Sequence, residues 1–83
     1  MDLFDQIDLL KQIDFHIEHK STGNPQDFAG RLHVSERSFY RLMEGLQDRN
    51  VHIEYVRIRR SYVYLDGYTI PRLLENYFKG RQN

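Results

Sequence analysis

The chain contains no cysteine, so neither a disulfide framework nor a thiolate metal site can staple it. It contains no apolar run long enough to span a bilayer, and no signal-type apolar stretch follows the acidic start. The expectation is a soluble cytoplasmic protein with no membrane partner. No GxxxxGK[ST] phosphate loop occurs, and no spaced cluster of carboxylates lies outside the first predicted helix. The sequence therefore predicts no enzyme and calls for no cofactor. Net charge is also missing, because 12 basic residues balance 12 acidic ones. At 83 residues, a chain of this kind is expected to form one domain (1–83) whose stability rests on a compact apolar core.

The charge that is present is unevenly placed. Residues 1–30 carry six acids against Lys11 and Lys20, a net of −4. Residues 31–60 carry seven cations against four acids, a net of +3, and all seven are arginine. Arginine suits bidentate contacts to phosphate and guanine. The asymmetry points to a polyanion on one side of the domain.

Along the chain, Leu3, Ile7, Leu10, Ile13 and Ile17 recur on one face, which predicts a helix over 3–20. Phe4 and Phe15 fall off that face and either flank the core or form a second apolar patch. The Ser21–Asn24 segment breaks the pattern, with Gly23 suited to a positive φ after a helix. Asn24 as cap, Pro25 in the first helical position and Asp27 in the first turn start a short second helix, to about Leu32. It is expected to bury Phe28, Ala29 and Leu32. His33 and Val34 make a turn, and Ser35 caps a third helix running to about Asp48. That helix has two unlike faces: Phe39, Leu42, Met43 and Leu46 on one, Arg37, Tyr40, Arg41 and Glu44 on the other. Gly45 within it costs about 1 kcal/mol relative to alanine unless close packing requires it.

Beyond Asn50 the period changes to two. Val51, Ile53 and Tyr55 alternate with His52, Glu54 and Val56, and later Tyr62 and Tyr64 continue the alternation. This predicts a β-hairpin over about 51–65 whose tip is Arg57-Ile58-Arg59-Arg60. The tip lacks glycine, so its turn type stays open. A last helix over about 70–79 carries Ile70, Leu73, Leu74, Tyr77 and Phe78, with Pro71 near its start and Gly80 just past its end.

The fold class is thus mainly α with a small β-hairpin. Two helices joined by a tight turn over about 25–48, the second with a polar face, make a helix-turn-helix, and the hairpin after it makes a wing. Thr22-Gly23, Pro25, Phe28-Ala29, Leu32, Val34-Ser35, Arg37-Ser38-Phe39-Tyr40-Arg41, then Ile53, Tyr55, Tyr62 and Tyr64 carry a further signal. Over about half of the chain, this pattern resembles the winged helix-turn-helix of bacterial regulators related to the biotin-repressor and WYL-domain groups. The resemblance implies a three-helix core and a wing, here with the extra C-terminal helix; the expected lack of an effector domain is a departure from such regulators. It also implies contact of the recognition helix with DNA through Ser35, Arg37, Ser38, Tyr40 and Arg41, and of the wing through Arg57, Arg59 and Arg60. Glu36 departs from the pattern, standing where a basic or small residue is usual; it would have to read a cytosine amino group.

The expected function is binding of double-stranded DNA as a small transcriptional regulator. Arg41 and the three wing arginines would hold phosphates, while Ser35, Glu36, Arg37 and Tyr40 would face bases. The alternatives are a protein–protein adaptor and a mobile-element accessory factor that bends DNA. The plainer readings are a solvated helix face with Arg41 paired to Glu44, a tip that is basic for solubility, and Tyr62 and Tyr64 as core. A homodimer through Ile70, Leu73, Leu74, Tyr77 and Phe78 would add specificity, unless that stripe packs on the first helix. His16 and His19 have helical spacing for a shared metal but no evident third ligand, so no metal site is expected.

Overall fold

The computed structural model describes residues 2–81, and the side chains of 2–80. A 3-10 turn at Leu3–Gln6 leads into helix α1 (Ile7–Glu18), followed by α2 (Pro25–Arg31) and α3 (Glu36–Asp48). Strands β1 (Ile53–Val56) and β2 (Ser61–Tyr64) flank a second 3-10 turn, Arg57–Arg59, and α4 (Ile70–Arg81) is the last described element. β1 and β2 pair antiparallel, with Ile53 opposite Tyr64 and Tyr55 opposite Tyr62. The architecture is mainly helical with a two-stranded hairpin. Among the described residues no helix is long and apolar enough to cross a membrane.

The start signals act as their chemistry predicts. The Asn24 side chain accepts from the Asp27 N–H at 2.8 Å, and the Asp27 carboxylate accepts from the Asn24 N–H at 3.3 Å. This capping box satisfies two donors at once ahead of Pro25. Ser35 Oγ accepts from the Ser38 N–H at 3.0 Å and so caps α3.

The stop signals differ from expectation. Gly23 does have a positive φ of 70°, but α1 ends earlier, at Glu18, and the left-handed residue just beyond it is Lys20, whose φ is 53°. Around it the Ser21 N–H reaches the His16 carbonyl and the Lys20 N–H the Ile17 carbonyl, both at 3.0 Å. That is a Schellman ending, which caps carbonyls the helix leaves open. The same pattern ends α2 at His33 (φ 58°) and α3 at Asn50 (φ 68°), where Val34 and Val51 donate to Ala29 and Leu46. All three left-handed positions lack glycine. Gly23 serves a different purpose: a Cβ there would lie 2.6 Å from that of Asp27, so glycine leaves room for the capping box. Gly80, expected beyond the last helix, is inside it, because α4 continues to Arg81.

The first segment also departs from one continuous helix. Its opening 3-10 turn places Leu3 on α3, and a Cβ on Gly45 would stand 3.2 Å from Leu3 Cδ1. Close packing therefore explains the helical glycine. Phe4 stacks on Tyr77 at 3.7 Å between ring centroids. Phe4 flanks the core, then, while Phe15 is the exposed aromatic of the pair, 4.0 Å from the His19 ring.

Leu10, Ile13, Phe28, Phe39, Leu46 and Ile70 are fully buried. Phe28, Phe39 and Tyr62 form a triangle of rings 5.3–5.6 Å apart that pins α2, α3 and β2 together. The candidate dimer stripe is largely spent on this core. Ile70, Leu73 and Leu74 are buried against the same chain, where α4 meets α1, and Tyr77 covers Phe4. Of the five residues only Phe78 is exposed. A small domain has too little apolar surface to leave a whole helix face open.

Candidate nucleic-acid interface

The polar face of α3 stands clear of the core. Ser35, Glu36, Arg37, Ser38, Tyr40 and Arg41 are all exposed. Their neighbours one step round the helix, Phe39 and Leu42, are buried. Three of the six, Ser35, Glu36 and Ser38, are partly committed to structure. Ser35 caps the helix, and its hydroxyl donates to Ser38 Oγ at 3.0 Å. Glu36 occupies the first turn, where a carboxylate is favoured by the partial positive charge of the helix start. Arg37 and Arg41 make no ion pair within 4.0 Å among the described residues, and the Arg41–Glu44 pair of the plainer reading does not form. Arg41 also lines an open cleft of about 370 Å³ with Asp2, Gln6, Ser38 and Arg49.

The hairpin is joined to α3 through tyrosines. Tyr62 lies 5.6 Å from Phe39 and 5.2 Å from Tyr55. Its phenol is pushed up to about 12, by burial first and then by the neighbouring phenols of Tyr40 and Tyr55. Three phenols thus converge where α3, β1 and β2 meet, with Tyr40 half-exposed at the outer end. Tyr62 is core, as its alternation predicts.

The outer edge of β2 is held by a buried polar ring. The Tyr62 N–H donates to Thr22 Oγ1 at 2.7 Å, Thr22 Oγ1 lies 3.1 Å from Ser61 Oγ, and Ser61 Oγ donates to the Tyr62 carbonyl at 3.1 Å. Thr22 and Ser61 are fully buried. This contact ties the loop before α2 to the hairpin and fixes where the hairpin points.

At the tip, Arg57, Arg59 and Arg60 are exposed and free of ion pairs among the described residues. The turn left open by the sequence is a 3-10 turn closed by the Arg60 N–H on the Arg57 carbonyl at 3.1 Å, with Arg60 left-handed at φ 49°. Ile58 at its centre is 93 % exposed. Sequence reasoning passed over Ile58, although an isoleucine set among three arginines, outside the strand alternation, was a visible signal.

Not every arginine of the basic segment belongs to this surface. Arg49 sits 5.0 Å from the centroid of the Phe4 ring, approaches Asp2 at 3.5 Å and donates to the Gly45 carbonyl at 3.3 Å. It anchors the first turn to α3. The two helical histidines do not converge on a ligand. His19 Nδ1 is 2.8 Å from the Phe15 carbonyl, whereas His16 Nδ1 is buried without a partner. Burial and then the charge of Arg31 and the neighbouring His19 hold the His16 imidazole below its ordinary value. Among the described residues no group of three metal-ligating side chains comes together.

No family model, curated protein or solved structure matches this chain.

Proposed function

We propose that this chain is a winged helix-turn-helix domain that binds double-stranded DNA, with α2 and α3 as the helix-turn-helix and the β1–β2 hairpin as the wing. The observation that carries the reading is the pairing of two cationic groups without counter-ions, Arg37 and Arg41 on α3 and Arg57, Arg59 and Arg60 at the tip. They stand on elements locked together through Phe39 and Tyr62. A helix whose polar N-terminal half is exposed suits a major groove, where side chains reach base edges. Arginines on a projecting hairpin suit adjacent phosphates. In this reading Arg37 and Tyr40 face bases, Arg41 and the tip arginines hold the backbone, and Ser35 chiefly holds α3 in shape. Glu36 is stabilised in its first-turn position by the helix start, and in this reading it accepts from a cytosine amino group.

The test is fluorescence anisotropy of a labelled random-sequence duplex at two salt concentrations, with the wild type and with Arg57, Arg59 and Arg60 changed together to alanine. Binding that weakens with salt and drops in the triple variant is the expected result, with the salt slope reduced by about one unit per lost phosphate contact. No binding at low salt would refute the reading. The polar face of α3 would then belong to a protein partner, a role favoured by the balanced net charge.

A further inference from the structure

Phosphate binding by the tip arginines leaves the residue at their centre without a role. Ile58 is 93 % exposed, more than any other large apolar side chain among the described residues. It takes no part in the core cluster or in the shell of half-buried side chains around it. Nor does it sit in a slack loop. Its turn is closed by the Arg57–Arg60 hydrogen bond and followed at once by the paired residue Ser61. A basic tip designed only for solubility would gain nothing from an isoleucine there.

We infer that Ile58 is a wedge that enters the minor groove and partly unstacks a base step, so that the protein kinks the duplex it binds. The inference rests on the DNA-binding reading above and adds a mechanical consequence to it. The base stack is the broadest apolar surface in DNA, and it lies between two rows of phosphates. A tip that presents one apolar side chain amid three cations has the matching arrangement. Isoleucine is among the side chains that serve as such wedges. Its branched Cβ leaves few rotamers to lose on insertion. Arginines on either side suit the negative potential of a narrow minor groove. An anionic lipid surface also combines charge with apolar depth, but one isoleucine supplies far less apolar area than interfacial anchoring by a helix or an acyl chain. The duplex is the better fit.

The test is ligase-catalysed circularisation of linear fragments shorter than the DNA persistence length of about 150 bp, run beside the anisotropy titration. Wild-type protein is expected to raise the yield of small circles several-fold. Ile58→Ala should bind with an unchanged salt slope, since no charge is lost, yet give no more circles than DNA alone. Ile58→Leu should restore them. The side chain lies outside the core, so these variants keep the wild-type circular dichroism spectrum. If the wild type binds without adding circles, or Ile58→Ala bends as well as wild type, the wedge is overturned while the DNA-binding reading stands. If no DNA is bound at low salt, both fall. Ile58-dependent sedimentation with phosphatidylserine vesicles in that case would assign the tip to lipid.

Discussion

The Tyr64 hydroxyl donates to Asp14 Oδ1 at 2.6 Å, joining the second strand of the hairpin to the middle of α1. The same oxygen accepts from the Ile70 N–H at 3.3 Å, at the first residue of α4. One side chain thus sets the relative position of three elements. Tyr64→Phe removes the hydroxyl but keeps the ring. It should lower stability by about 1–2 kcal/mol, the range for a hydrogen bond to a charged acceptor that is only half-buried. Urea denaturation checks this through a lower midpoint at an unchanged m value.

Alkaline pH should weaken the fold through two phenols. Burial and then the hydrogen-bonded Asp14 carboxylate hold the Tyr64 phenol far above its ordinary value, and burial raises that of Tyr62 to about 12. Both are raised above the unfolded value of 10.0, so the folded state favours the neutral form. Their contribution is present in full below pH 10 and is lost as pH rises from there toward the folded values. Urea midpoints measured from about pH 8 to pH 11 should fall more steeply for the wild type than for Tyr62→Phe/Tyr64→Phe. Equal slopes would mean that these phenols are not buried as neutral groups.

Thr22 should matter through its hydroxyl rather than its size. It supplies the acceptor for the Tyr62 N–H, in a position with no exposure at all. Thr22→Val keeps the shape and strands that donor, at a cost of about 1–3 kcal/mol. Thr22→Ser keeps the hydroxyl and should cost about 1 kcal/mol or less for the lost methyl. Thermal melts of the two variants give the order, and a valine variant as stable as the serine variant would refute the role.

The three left-handed helix endings offer stabilising substitutions. Lys20, His33 and Asn50 hold φ between 53° and 68°, where a side chain is disfavoured and glycine is not. Asparagine tolerates this conformation best and histidine better than most. Lys20→Gly should therefore gain most, about 0.5–1 kcal/mol, with His33→Gly next and Asn50→Gly least. For a domain of this size 1 kcal/mol raises Tm by roughly 4–8 °C. Differential scanning calorimetry would show the ranking, and a Lys20→Gly variant that melts below wild type would contradict it.

The helix starts were legible because their signals are local. Asn24-Pro25 with Asp27, and Ser35 ahead of Ser38, act within one turn of chain and need no partner from elsewhere. The hairpin and the two faces of α3 were legible for a similar reason, since periods of two and of 3.6 are written in consecutive residues. The exposure of Arg37, Tyr40 and Arg41 follows from Phe39 and Leu42 being buried. The helix ends were less legible. A Schellman ending depends on backbone hydrogen bonds that any residue but proline can donate, so Lys20 carries no mark of it in sequence, and His33 and Asn50 only their weak tolerance of positive φ.

Apolar spacing by itself determined which face of each element could be buried and which face of α3 is left to solvent, because turn and pleat set the direction of successive side chains. What each exposed or half-buried group meets was decided by tertiary structure alone. Arg49 and Arg41 are both arginines of the same helical region, yet one is drawn onto Phe4 and Asp2 while the other stays free. Leu73 and Phe78 share one predicted stripe, yet one is buried against the chain and the other is not. Composition and spacing are alike in such pairs. The difference lies in which distant segment arrives beside them, and that is set by the packing of the whole chain around Phe28, Phe39 and Tyr62.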